Sequence, residues 1–168
     1  MNFYNFDGGP GALPAPVIAE AQKALGSYEN TGISILGLSH RSAAFKAIVD
    51  EVEANLRRLL KLPANYRVLF LQGGASLQFS MIPMTLLRGA SAPAEYVVTG
   101  YWSAKAEAEA RKEGPVTVRF DGGPEGFRRV PSPEELRPAP DAAYLHYVSN
   151  ETVEGLQFSF VPETGRVP

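Results

Sequence analysis

The chain has 168 residues, of which 45% are hydrophobic and 20% charged, so it is long enough to bury the core of one domain. A formal net charge of −2 provides no general attraction for nucleic acid or for an anionic membrane surface. Cysteine is absent, which excludes disulfides and thiol chemistry and is typical of a cytoplasmic protein. The first eleven residues lack the basic and apolar regions of a signal peptide, and no apolar run approaches the ~20 residues of a bilayer span. We therefore expect neither a nucleic-acid partner nor a membrane partner.

The first part of the chain predicts an extended arm followed by two helices. Glycine, proline and aromatic residues indicate an irregular N-terminal arm over residues 1–15. Pro16 suits the first turn of a short helix that runs to about Leu25. A longer helix with an apolar stripe begins near Ser39 or Ser42, since either serine is a good N-cap.

From residue 66 onward, apolar segments and helical patterns alternate. We predict strands over 66–72, 94–100, 115–120 and 142–150, helices over 76–87 and 102–113, and a hairpin that includes 156–162. This alternation predicts an α/β fold, with a mostly parallel sheet and flanking helices, over residues 16–168.

Ligands of parallel sheets bind at the carboxyl ends of the strands. Three predicted strands end at Gly73-Gly74, at Gly100-Tyr101-Trp102 and at Asn150-Glu151-Thr152. We expect these segments to converge at one edge of the sheet.

Gly73-Gly74 admits two interpretations. Glycines between a strand and a helix can let backbone amides approach a phosphate, which the positive helix N-terminus would also attract. A tight turn explains the two glycines equally well, and neither a P-loop lysine nor the third glycine of a dinucleotide fingerprint follows them.

The other candidate residues also have a structural alternative. Trp102, the single tryptophan, is either a core residue or a ring that stacks on a flat ligand. His40-Arg41 is either a solvated helix start or a site for a carboxylate or phosphate. Thr152 is a turn residue or a ligand-bonding hydroxyl, and His146 is interpreted as a hydrogen-bonded core histidine. The two histidines stand apart without nearby carboxylates, so no metal site is predicted.

Taken in order, six segments of the chain resemble the phosphoserine aminotransferases, which are class-V, fold-type I enzymes that use pyridoxal 5′-phosphate (PLP). The segments are YNFDGGP at 4–10, SHRS at 39–42, VLFLQGGASLQF at 68–79, IPMTLL at 82–87, YVVTGYWSAKA at 96–106 and YLHYVSNETVEG at 144–155.

The resemblance implies the first part of the PLP-binding large domain and a role for each matching residue. Ala75 and Ser76 would bind the cofactor phosphate through their amides, Trp102 would stack on the pyridine ring, and Thr152 would hydrogen-bond the cofactor. Arg41 and His40 would bind the acidic group of the substrate. The family transfers an amino group between glutamate and 3-phosphohydroxypyruvate in serine biosynthesis, and works as a homodimer.

The resemblance also implies a lysine that forms a Schiff base with PLP, and in the family this lysine follows the NET segment. The five lysines of the chain all lie in or beside predicted helices rather than at a strand end, so we assign no catalytic residue. We expect this chain to be a fragment that binds PLP weakly and does not transaminate alone. An alanine–glyoxylate type aminotransferase and a non-catalytic half-domain that associates with a partner chain are the alternatives.

Overall fold

The computed structural model describes residue 5 and residues 11–168. Most of the predicted arm over 1–15, and most of the YNFDGGP segment, therefore lie outside the described residues. The chain divides into two compact units between Leu69 and Phe70. The assignment of one domain to residues 16–168 stays a prediction.

The first unit contains the two predicted helices, α1 over Ala15–Gly26 and α2 over Ala43–Leu59. Ser42 is the N-cap of α2, because its hydroxyl oxygen accepts a hydrogen bond from the Phe45 amide at 3.2 Å. Short 3₁₀ turns at Tyr28–Asn30 and Ile35–Gly37 connect the helices.

The predicted buried strand over 66–72 is wrong. This segment pairs with no strand among the described residues, and Leu69, Phe70 and Leu71 are 69%, 55% and 53% exposed. A strand needs a neighbour to accept and donate its backbone hydrogen bonds. The described strands that follow pair with one another and leave this apolar segment without a partner.

The second unit is a parallel sheet with two helices, as the sequence predicts. In chain order it contains α3 Gly74–Leu86, β1 Ala94–Val98, α4 Tyr101–Ala110, β2 Val116–Asp121, β3 Leu145–His146, β4 Asn150–Glu151 and β5 Leu156–Gln157. The sheet has the order β2-β1-β3 with all neighbours parallel, while β4 and β5 form the predicted antiparallel hairpin. Of the strand predicted over 142–150, only Leu145–His146 pairs with β1, and Asn150 already belongs to β4.

The central strand β1 separates two apolar clusters. Tyr96 belongs to a cluster with residues of α3 and α4, whereas its neighbour Val97 packs with Leu136 and Phe158. Successive side chains of a strand point to opposite faces, so the clusters occupy the two faces of the sheet. In the first cluster the buried hydroxyls of Tyr96 and Tyr144 share a hydrogen bond of 2.8 Å. Of the two helices on that face, α4 begins directly after β1, at the carboxyl edge of the sheet.

Candidate functional site

A cleft of about 590 Å³ opens beyond the carboxyl ends of β1 and β3, entirely within the second unit. The three predicted strand-end segments all contribute to its wall. It is lined by Gly73, Gly74, Ala75, Ser76, Phe79, Trp102, His146, Tyr147, Val148, Ser149, Asn150 and Thr152. The structure thus brings together the four residues that the sequence assigns to a cofactor, Ala75, Ser76, Trp102 and Thr152.

One wall of the cleft is the N-terminus of α3. Gly73 and Gly74 have left-handed backbones, with φ values of 90° and 57°. At Gly73 a β-carbon would lie 2.5 Å from Cβ of Leu77, so a larger residue does not fit. The tight turn therefore requires glycine, and it starts the helix at the cleft. Amides in the first turn of a helix have no partner inside the helix, so those of Ala75 and Ser76 are suited to bind an anion.

The opposite wall joins the start of α4 to the loop after β4. The indole Nε1–H of Trp102 donates a hydrogen bond of 2.8 Å to the hydroxyl oxygen of Thr152. The indole is half-buried, and Tyr101 packs edge-on against it with ring centroids 4.9 Å apart. This bond fixes the ring while leaving it in the wall of the cleft. The Thr152 hydroxyl accepts in this contact, so its own proton is available for another acceptor.

Two glutamates, Glu151 at the end of β4 and Glu154 in the loop after it, bind the first three amides of α4. The Tyr101 amide donates to Oε1 of Glu154, the Trp102 amide to Oε2 of Glu151 and the Ser103 amide to Oε1 of Glu151, each at 2.9 Å. Sequence reasoning missed both glutamates. The available signal was the pair of acidic residues on either side of Thr152, close to a helix start that lacks a capping carboxylate of its own.

His146 forms part of the floor of the cleft and differs from the sequence interpretation. Its ring stacks on Tyr96 with centroids 4.8 Å apart and meets Phe79 edge-on. Its Nδ1 is buried without a hydrogen-bond partner among the described residues, so it is not a fully hydrogen-bonded core histidine. Burial lowers the pKa of His146 to about 4, because the charged imidazolium would lose its hydration.

His40 and Arg41 belong to the first unit, where both are exposed at the start of α2. The Arg41 amide donates to the Ser39 hydroxyl at 3.2 Å, and nothing among the described residues of that unit assigns the guanidinium a ligand. Their role as substrate-binding residues stays a prediction.

None of the lysines in residues 11–168 lines the cleft. Lys23 pairs with Glu20 on the surface of α1, and Lys112, in the turn after α4, pairs with Glu109. Lys105 is the nearest in sequence to the site, and its Nζ lies 5.8 Å from the centroid of the Trp102 ring. Within the described part of the chain, no group of three or more metal-binding side chains occurs. No helix over those residues combines the length and the apolar character of a membrane span.

The class-V aminotransferase model matches residues 3–167. Phosphoserine aminotransferase of Laribacter hongkongensis is 52% identical to the chain, and that of Nitrosomonas europaea 45%. Each alignment covers 98% of this chain, but only 46% and 44% of the relative. The chain therefore spans somewhat less than half the length of these curated relatives.

Solved structures of the same kind of enzyme have the same fold. Phosphoserine aminotransferase of Bacillus circulans subsp. alkalophilus superposes with a TM-score of 0.92 at 45% identity, over 98% of this chain and 45% of that one. The PLP-bound phosphoserine aminotransferase of Trichomonas vaginalis gives 0.87 at 34% identity, over 96% of this chain and 48% of that one. On the family match across nearly its whole length, the chain belongs to the class-V aminotransferases.

Proposed function

We propose that the chain forms the phosphate and ring side of the PLP site of a phosphoserine aminotransferase. The overall reaction converts glutamate and 3-phosphohydroxypyruvate to 2-oxoglutarate and O-phosphoserine, in serine biosynthesis. The names of the relatives and the identity of 45–52% over nearly the whole chain support this assignment. A cytoplasmic homodimer is part of the same proposal.

The observation that carries the proposal is the meeting of the four assigned residues in one cleft. The amides of Ala75 and Ser76 would hold the PLP phosphate at the start of α3, where the helix dipole favours negative charge. Trp102 would cover the pyridine ring with its flat face. Thr152 would donate its hydroxyl proton to a cofactor oxygen, since the lone pair that it offers Trp102 leaves that proton free.

PLP supplies the electron sink for transamination and is linked to its enzymes through a lysine Schiff base. The cleft residues of this chain bind and orient, because none of them is a lysine. We therefore expect reversible, weak PLP binding and no transamination by the 168-residue chain alone. His40 and Arg41 would bind the anionic group of the substrate, for which a guanidinium is suited as a bidentate donor.

Binding of PLP can be compared with binding of pyridoxal, which has the same ring and aldehyde but no phosphate. Quenching of the single tryptophan, Trp102, reports ligand binding in the cleft. We expect PLP to bind at least about tenfold more tightly than pyridoxal, a difference of about 1.4 kcal/mol. Equal affinities would contradict the phosphate role of the α3 N-terminus.

Borohydride reduction and peptide mapping separate reversible binding from a Schiff base. We expect no stoichiometric label on any one lysine of the chain. A single fully labelled lysine would contradict the proposed division of roles, because the chain would then contain its own Schiff-base residue.

A further inference from the structure

We propose that Glu151 is a positioning residue of this site: it joins the start of α4 to the loop of Thr152 and so sets the indole of Trp102 in the cleft wall. The inference rests on the proposed function and adds a residue that does not itself line the cleft.

The Glu151 carboxylate is almost completely buried, with 1% of the residue exposed, and it is well supplied with donors. Its Oε2 accepts from the Trp102 amide at 2.9 Å. Its Oε1 accepts from the Ser103 amide at 2.9 Å and from the Thr99 hydroxyl at 3.4 Å. These donors, together with the positive end of the helix, compensate a buried negative charge that would otherwise be unfavourable.

The position of Glu151 in the chain makes this contact relevant to the ligand. Thr152 is the next residue, and its hydroxyl accepts the indole N–H of Trp102. Glu151 and Thr152 therefore hold the backbone and the side chain of the same tryptophan. A shift of the carboxylate would change the distance between the two partners of the indole bond.

Gly100 shows that the fit between carboxylate and helix start is close. A β-carbon at Gly100 would lie 2.7 Å from Cδ of Glu154 and 2.8 Å from Cδ of Glu151, so a larger residue there requires both carboxylates to move. The loop is thus seated against the α4 N-terminus rather than lying over it loosely.

Glu151→Gln tests the role with little change of volume. Glutamine keeps one carbonyl oxygen as an acceptor but places an NH₂ group against the other backbone amide. Two donors then face each other, so one of the two hydrogen bonds to α4 is lost. Because the chain has one tryptophan, a single indole N–H resonance reports its hydrogen bond in the chain without ligand. Thr152→Val, which removes the acceptor, defines the resonance of the broken bond.

Two controls separate positioning from general destabilisation. Glu154→Gln alters the neighbouring carboxylate, which binds the Tyr101 amide and contacts neither Trp102 nor Thr152 by hydrogen bonds. Leu136→Val weakens the apolar cluster on the other face of the sheet. All variants are compared at a temperature at which circular dichroism shows them folded.

We expect the indole resonance of Glu151→Gln to move toward that of Thr152→Val, and its affinity for PLP to fall about tenfold. Both controls should keep the wild-type resonance and affinity. An unshifted resonance in folded Glu151→Gln would overturn the inference, as would an equal loss of affinity in Leu136→Val. If the wild-type chain does not prefer PLP to pyridoxal, the proposed function fails, while the resonance still decides whether Glu151 positions Trp102.

Discussion

Gly73 and Gly89 provide a matched pair of substitutions that tests how the backbone shapes the proposed phosphate end of the cleft. Both glycines have left-handed backbones, with φ values of 90° and 81°. Alanine at Gly73 would place its β-carbon 2.5 Å from Cβ and Cδ2 of Leu77. At Gly89, no described atom other than its immediate chain neighbours lies within 4 Å of the same added carbon. The two substitutions therefore share a conformational cost and differ in the clash.

The expected loss of stability follows from the conformational cost and the clash. Alanine in a left-handed backbone conformation lowers the free energy of unfolding by about 1–2 kcal/mol, and this cost is the same in both variants. Overpacking adds about 1–3 kcal/mol to Gly73→Ala alone, since Cβ of Leu77 is fixed to the helix backbone and cannot rotate away. Relief of the clash must move the first turn of α3, and with it the amides of Ala75 and Ser76. PLP affinity should then fall about tenfold for each 1.4 kcal/mol of lost phosphate interaction.

Urea denaturation followed by circular dichroism measures the stability of both variants, and Trp102 quenching measures PLP affinity. We expect Gly73→Ala to be the less stable and to lose its preference for PLP over pyridoxal. Gly89→Ala should lose stability but keep that preference. Equal stability losses and equal PLP affinities would refute the argument that close packing against Leu77 fixes the proposed phosphate-binding turn.

Three further predictions concern the core, the cleft floor and the substrate. Tyr96→Phe should cost about 1–3 kcal/mol in the free energy of unfolding, because the Tyr144 hydroxyl loses its buried partner, and the double Phe variant should recover part of the loss. Stability should fall as the pH drops from 6.5 to about 4, by about 3 kcal/mol from His146 alone, since the unfolded chain binds the proton more tightly. His146→Phe should reduce this pH dependence in denaturation curves. In an enzyme with the full length of the relatives, Arg41→Ala should raise KM for 3-phosphohydroxypyruvate more than Arg58→Ala does, whereas an unchanged KM would argue for another substrate.

Local patterns predicted those elements whose partners are close in the chain. Ser42 was one of two expected caps, and its hydroxyl does begin α2. The alternation between 94 and 121 gave β1, α4 and β2 within a few residues of their observed bounds, because a strand, its crossover helix and the next strand form one packing unit. The rule for parallel sheets predicted that the three segments meet at one cleft, which they do, although Gly73-Gly74 follows no strand among the described residues and Asn150-Glu151 belongs to the antiparallel hairpin.

The segment 66–72 shows where this reasoning failed. Its apolar run is typical of a buried strand, but burial depends on a neighbour that the pattern itself does not contain. In the structure, Leu69 to Leu71 are more than half exposed. His146 failed for a related reason: the sequence indicated burial correctly, but it could not show that Nδ1 lacks a partner among the described residues.

The N-termini of α3 and α4 both lie at the cleft, but they differ in whether a carboxylate of this chain binds their amides. Both α3 and α4 follow a glycine, and both present amides without partners inside the helix. Glu151 and Glu154 occupy those of α4, so negative charge is already present there and a phosphate would be repelled. The N-terminus of α3 contributes Ala75 and Ser76 to the cleft wall and has no carboxylate among the lining residues. Glu151 would thus position Trp102, and the two glutamates, by occupying the amides of α4, would leave α3 as the phosphate end of the proposed PLP site.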